Sequence, residues 1–223
     1  MASQIPLPLQ SNANLDREDF IVSLGNARAF AFVESWPWAI PAAALHGPSG
    51  SGKTHLVEIW KARSGAQAVA AAALSGSAYA QLDRGCPIAI EDVDASIPNP
   101  ARDAALFHLL ESATPHVPLL LTGREPPSMW QATLPDLHSR FAALVSFPLW
   151  APDDTLLEKL VQKLFDDRQL SVPAAVVQHM IRSLERSPAA IRDFVERADT
   201  LALSRKKPIS LALIREILPE QDR

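Results

Sequence analysis

The sequence predicts an α/β fold, a parallel sheet flanked by helices, followed by a smaller all-helical subdomain. Between Asp16 and about Trp150, short apolar runs alternate with helix-spaced segments, the rhythm of parallel strands joined by helical crossovers. A glycine-rich octapeptide, Gly47-Pro48-Ser49-Gly50-Ser51-Gly52-Lys53-Thr54, follows the first of these runs directly. After Trp150-Ala151-Pro152 the apolar runs cease and only helical spacing remains.

Taken in order, residues 1–15 lack helical periodicity and carry Pro6 and Pro8, so they are expected to form an extended arm. Residues 16–150 are expected to form the α/β core. Its strands are placed at Ala42–His46, Gln67–Ala72, Pro87–Ile90, Pro118–Thr122 and Leu144–Pro148, and its helices at His55–Ser64, Ala101–Thr114 and Leu134–Phe141. The alanine-rich stretch Ala66–Ala80 holds strand-like and turn-like pieces. Residues 151–223 are expected to form the helical subdomain, from Leu156–Arg168, Pro173–Glu185, Pro188–Arg205 and Ser210–Leu218. Ser187-Pro188 supplies an N-cap and a first-turn proline. A hinge is expected near Ala151–Asp153.

Composition narrows the function classes. A net charge of −4 and a pI near 5.9 argue against a domain that coats DNA, since phosphate contacts need a surplus of Lys and Arg on one face. Arg205-Lys206-Lys207 is the only basic cluster and reads as a solvated helix end, so no direct sequence-specific DNA binding is expected. The single cysteine, Cys86, cannot form a metal or redox pair and is expected to be a small core residue in a reducing, cytoplasmic setting. No apolar window of membrane-spanning length and no basic-then-apolar leader is found, so neither export nor a membrane span is expected. The six histidines are scattered without metalloenzyme spacing, and the five tryptophans are too dispersed for a base-stacking platform and are expected to be core or interface anchors.

The chemistry lies in two strand ends. The octapeptide fits the Walker A pattern G-x-x-x-x-G-K-[S/T] without mismatch. Its glycines let successive N–H groups turn toward phosphates, and the helix behind them, from His55, presents its positive end to the same anion. Lys53 is expected to reach the β/γ oxygens of ADP or ATP, and the Thr54 hydroxyl to sit on Mg²⁺. Ile88-Ala89-Ile90-Glu91-Asp92 then reads as a buried strand ending in carboxylates, the Walker B arrangement, with Glu91 and Asp92 placed to hold Mg²⁺ and orient water.

Two later segments add a resemblance. Pro118–Pro127 is an apolar strand ending in Thr122-Gly123-Arg124, and Leu134–Phe141 carries Ser139-Arg140-Phe141. In order and spacing these segments resemble the AAA+ module of the DnaA/Hda family of replication initiators and their regulators, over roughly residues 16–218. The resemblance implies a sensor 1 strand at 118–127, an arginine finger at Arg140 acting in trans, and a sensor 2 helix at Ser187–Asp193 that brings Arg192 to the phosphates. It further implies an adenine pocket lined by the segment Asp19-Phe20-Ile21-Val22, with Asn26 beyond.

Neither the N-terminal interaction domain nor the C-terminal helix-turn-helix domain of DnaA fits into this chain, and the remainder is similar to the DnaA-homologous regulators that inactivate the initiator. In those regulators the N-terminal arm binds the sliding clamp, the β subunit of DNA polymerase III, and Gln4-Ile5-Pro6-Leu7-Pro8-Leu9 closely resembles that motif. Gln4 can hydrogen-bond at a pocket rim while Leu7 and Leu9 fill an apolar groove. The implied protein is a clamp-tethered, ADP-bound partner that stimulates ATP hydrolysis by DnaA, with homodimerisation left open. Glu91 stands where the family usually has Asp, and Arg124 where a short polar or acidic residue is usual, which implies weak or absent intrinsic hydrolysis. A helicase-loader-type AAA+ adaptor and an independent P-loop NTPase are the alternative readings.

Overall fold

The computed structural model describes residues 15–75 and 77–218. The arm motif Gln4–Leu9 lies outside the described residues. Five parallel strands form one sheet in the order β2-β3-β4-β1-β5: β1 Ala42–His46, β2 Gln67–Ala70, β3 Ile88–Glu91, β4 Leu119–Gly123 and β5 Val145–Pro148. β1 pairs with β4 from Ala42↔Leu119 to His46↔Gly123, and with β5 from Ala43↔Val145 to His46↔Pro148. The interior strands are apolar until their carboxyl ends, where His46, Glu91 and Thr122 stand, because both faces are covered, as parallel sheets require.

Strand alternation divides those faces. Ala43, Leu45, Ala89 and Leu120 point to the side covered by α1 (Ala27–Glu34) and α2 (Lys53–Ser64), where they meet Val33, Leu56, Val57 and Trp60. Ala44, Ile88, Ile90, Leu119 and Leu121 point to the opposite side, against Leu106 and Leu109 of α4 (Pro100–Ser112) and Leu137 and Phe141 of α5 (Pro135–Ala142). The short helix α3 (Ser77–Gln81) follows a 3-10 turn at Ala71–Ser75.

Four helices complete the fold: α6 Asp154–Asp166, α7 Ala174–Ser183, α8 Pro188–Arg205 and α9 Leu211–Ile217. They enclose their own apolar cluster, including Leu157, Val161, Phe165, Met180, Phe194, Val195 and Ile214. Side-chain caps begin three of them: Asp153 accepts from Leu156 N, Ser187 from Ala190 N and Ser210 from Leu213 N. Pro188 occupies the first turn of α8, where its missing N–H costs nothing.

Several sequence expectations shift. α1 is an additional helix, eight residues long, preceding the first strand. α2 begins at Lys53 rather than His55, because Gly52 adopts φ 101° at its N-cap and the last residues of the loop already coil. β3 runs on to Glu91, which pairs with Ala70, so the first Walker B carboxylate is part of the strand. Cys86 is not a core residue; it lies half-buried in the turn before β3, its Sγ 3.3 Å from Asp83 Oδ2. The dispersed tryptophans converge in part: Trp38 and Trp60 stack at 4.9 Å, and Trp36 packs edge-on against both. Trp130 is fully buried, whereas Trp150 is 67% exposed. Among the described residues no helix is long and apolar enough to cross a membrane.

Candidate functional site: a cavity between core and helical lid

Parallel pairing brings the carboxyl ends of β1, β3 and β4 to one edge of the sheet, and the polar segments after each strand meet there. The loop after β1 curls through two left-handed glycines, Gly50 at φ 74° and Gly52 at φ 101°. A β-carbon at Gly50 would come within 3.2 Å of Ser187 Cβ, and one at Gly52 within 3.2 Å of the Phe20 ring. Neighbouring side chains thus fill the space a β-carbon would need, and the start of α8 rests on the loop. The Lys53 ammonium donates to the carbonyls of Gly47 at 2.7 Å and Pro48 at 2.9 Å. Burial lowers its pKa, while Asp92, Asp94 and Glu91 oppose that shift.

Thr54 Oγ1 donates a 3.0 Å bond to Glu91 Oε2, so hydroxyl and carboxylate from α2 and β3 already share one point. Asp92, the next residue, sits at φ 56° with its N–H bonded to Thr122 Oγ1 at 3.1 Å. That bond ties the end of β3 to the end of β4. Asp94 extends the same link, its Oδ2 accepting from both Arg124 N and Glu125 N at 2.7 Å. These two backbone bonds hold the turn that carries Arg124.

The facing wall comes from the segment before α1. Phe20 is buried, stacked on Phe30 at 5.3 Å and edge-on to His55 at 5.1 Å. Asn26 braces this segment: its amide nitrogen donates to Ile21 O and its Oδ1 accepts from Ser23 N. His55 Nε2 lies 2.8 Å from Asp16 O, and burial lowers its pKa against the raising effect of that carbonyl. On the lid side, Asp19 Oδ1 lies 2.6 Å from Lys163 Nζ on α6. Arg192 of α8 is substantially buried; desolvation lowers its pKa and Asp19 raises it.

Together these elements enclose a cavity of about 350 Å³, lined by the loop from Ser49 through Gly52, by Lys53, Thr54 and His55, by Phe20 and Ile21, by Asp92 and Arg124, and by Trp150, Pro188 and Arg192. Three cationic side chains, Lys53, Arg124 and Arg192, converge on it from loop, core and lid, the charge distribution an oligophosphate requires. Ser51 Oγ is buried in the loop and has no hydrogen-bond partner among the described residues. The donor set fits a nucleoside phosphate, and Thr54, Glu91 and Asp92 fit an oxygen-seeking divalent cation such as Mg²⁺. No cluster of three or more His, Cys, Asp or Glu capable of holding a metal occurs among the described residues, so that cation would depend on phosphate oxygens for the rest of its shell.

Gly47, Pro48 and Glu91 adjoin the cavity through Lys53 and Thr54 without lining it, and two further expected residues stand elsewhere, Arg140 among them as a residue expected to act in trans. Val22 is 42% exposed and outside the cavity lining, because the extended segment alternates and directs Ile21 and Ser23 inward. Arg140 also lies outside the lining, on α5, with its guanidinium 4.6 Å over the Phe107 ring and 3.5 Å from Glu111. The roles of Asp19, Asp94 and Trp150 were not visible in the sequence, since each depends on a partner 30 residues or more away.

The chain superposes on domain III of the Thermotoga maritima replication initiation protein DnaA with a TM-score of 0.76 at 17% identity, covering 93% of this chain and 96% of that one. It has a DnaA-like AAA+ fold. A DnaA initiator bound to AMPPCP and single-stranded DNA matches with a TM-score of 0.72 at 18% identity, over 87% of this chain and 68% of the initiator. The Thermotoga maritima RuvB Holliday junction branch migration motor matches with a TM-score of 0.69 at 16% identity, over 91% and 70% of the two chains. No family model and no curated protein matches the sequence. Within that fold, β1 to β5 with α1 to α5 form the α/β part and α6 to α9 the helical part.

Proposed function

We propose that this chain is a nucleotide-binding AAA+ regulator of replication initiation, which stimulates ATP hydrolysis by a DnaA-type initiator through Arg140. The likeness to DnaA domain III over nearly the whole of both chains supports the AAA+ reading, and the AMPPCP in a similar initiator supports an adenine nucleotide as ligand. The observation that carries the trans-acting role is the position of Arg140. It is partly exposed on α5, outside the nucleotide cavity of its own chain, and its guanidinium is held only by the Phe107 ring and a 3.5 Å pair with Glu111, contacts weak enough to exchange for a neighbouring molecule's nucleotide.

Within the chain, Lys53 and Arg192 hold the phosphates from loop and lid, and the segment at Phe20 and Ile21 holds the base. Thr54, Glu91 and Asp92 hold Mg²⁺, which when bound neutralises phosphate charge. With Lys53 on the core side and Arg192 on the helical side holding one nucleotide, the two parts would be joined and one relative orientation of them favoured. Arg140 then enters the partner's site, where a guanidinium neutralises charge developing on the transferred phosphoryl group. Residues Gln4–Leu9 tether the regulator to the sliding clamp and raise its effective concentration near the initiator.

The test is hydrolysis of ATP prebound to a DnaA-type initiator, with clamp-loaded DNA and this protein in wild-type, Arg140→Ala and Leu7→Ala forms. Stimulation lost in Arg140→Ala, and lost in Leu7→Ala at low protein concentration, is the expected result. Full stimulation by Arg140→Ala would remove the finger. No stimulation by wild type would shift the function toward a helicase loader or independent NTPase.

A further inference from the structure

Trp150 is the second residue after β5, between the α/β core and the helical subdomain, and has the largest side chain lining the cavity. Its backbone is fixed: the N–H donates to Gly25 O at 3.0 Å, and a β-carbon at Gly25 would come within 3.2 Å of Trp150 Cβ. The indole itself is 67% exposed, unlike Trp38, Trp60 and Trp130, which are buried in the core. An exposed indole on a rigid backbone, at the rim of a cavity and beside Ile21 and Ser23 of the base-side wall, presents a broad π surface without a packing duty.

We propose that Trp150 stacks on the base of the bound nucleotide and closes the base end of the site. This rests on the nucleotide reading above and adds a specificity-determining residue to it. The phosphate end is held by charge and backbone, which any oligophosphate satisfies. The base end has the buried Phe20 ring, already committed to Phe30 and His55, and aliphatic side chains such as Ile21 and Leu156; among the lining residues Trp150 adds an exposed ring able to lie flat on a planar heterocycle. Stacking discriminates a nucleotide from its bare phosphates because only the former has a π face.

The experiment measures binding of ADP and of inorganic pyrophosphate, both with Mg²⁺, by calorimetry to wild type, Trp150→Ala and Trp150→Phe. Alanine keeps the β-carbon that meets Gly25, so the hinge backbone is preserved. ADP affinity is expected to fall on the order of tenfold in Trp150→Ala, pyrophosphate affinity to stay unchanged, and phenylalanine to restore most of the loss. Wild-type ADP binding with unchanged ADP affinity in Trp150→Ala would overturn the stacking role alone. A parallel fall for ADP and pyrophosphate would also overturn it, by showing that Trp150 acts through the loop structure. Absence of ADP binding to wild type would sink the nucleotide reading itself.

Discussion

The carboxylate of Asp19 lies 2.6 Å from the ammonium of Lys163, joining the segment that walls the cavity to the first helix of the lid. Asp16 O meets His55, and the Arg17 guanidinium lies over Phe30 and near Glu34, so the same short segment is also fastened to the core. Residues 16–20 therefore form a strap from core to lid. Opening the cavity by lid rotation has to stretch or break its lid-side contact.

Asp19→Asn is expected to speed nucleotide release severalfold, with Lys163→Gln giving a similar effect and the double variant adding little. Both side chains are partly exposed, so the pair is worth at most about 1 kcal/mol and weakens as salt rises. Stopped-flow release of a fluorescent ADP analogue measures this. Identical release rates in all variants would show that the strap does not gate the cavity.

Lys53→Ala should abolish nucleotide-linked stabilisation. Ligand at about one hundred times its Kd adds about 2.7 kcal/mol, which for a chain of this size is a rise of roughly 5–10 °C in Tm. Thermal melts with and without Mg-ADP check it; a shift retained in Lys53→Ala would place the ligand elsewhere.

Gly50→Ala and Gly65→Ala separate strain from contact. Both glycines have positive φ, and a side chain in that conformation costs on the order of 1–2 kcal/mol. Only at Gly50 does the new β-carbon also press on Ser187 and Pro188, while at Gly65 nothing lies within 4 Å. Both variants should lose stability, and Gly50→Ala alone should weaken ADP binding. Equal ADP affinity in the two would mean that α8 does not depend on the loop.

The two arginines of α4 and α5 should differ sharply. Arg102 is fully buried and bonded to Asp103, Ser96 and the Gln131 carbonyl, and Asp103 in turn accepts from Thr133. Arg102→Ala leaves Asp103 unpaired in the interior and should cost about 3–5 kcal/mol. Arg140→Ala loses a partly exposed pair with Glu111 and a partly exposed contact over Phe107, and should stay within about 1–2 kcal/mol of wild type. Urea unfolding of both variants distinguishes them, and a large loss in Arg140→Ala would make that residue structural.

Acid should destabilise the fold through its histidines. Burial depresses the pKa of both His46 and His55 below 6.5 in the folded chain, so the unfolded chain binds more protons at mildly acidic pH. Their contribution is complete above about pH 6.5 and is lost as pH falls through the folded values. Tm should drop between pH 7.5 and 5.5, and the drop should shrink in His55→Gln. An unchanged slope in that variant would assign the acid sensitivity to other groups.

Much of the molecule was legible in the chain alone. The octapeptide at Gly47–Thr54 marked a tight loop between strand and helix because Gly, Lys and Thr at that spacing are tied to a local backbone shape. Strands β1, β3 and β4 were legible because burial on two faces leaves an unbroken apolar run, and α8 because Ser187-Pro188 marks its start. β3 was placed one residue short at its end because Glu91 is polar, and only its pairing with Ala70 keeps it in the strand. The last turn of the loop was missed because it coils around glycines whose left-handed backbone has no signature in periodicity.

Tertiary structure decided everything that depends on distant partners. Sequence could place Arg140 on a helix but could not set it over Phe107 and outside its own cavity. It could count five tryptophans but could not bury Trp38, Trp60 and Trp130 while leaving Trp150 at the cavity rim. Nor could it join Asp19 to Lys163. Local conformation is written in neighbouring residues through sterics and periodicity, whereas a site is assembled by chain crossings that bring together groups tens of residues apart.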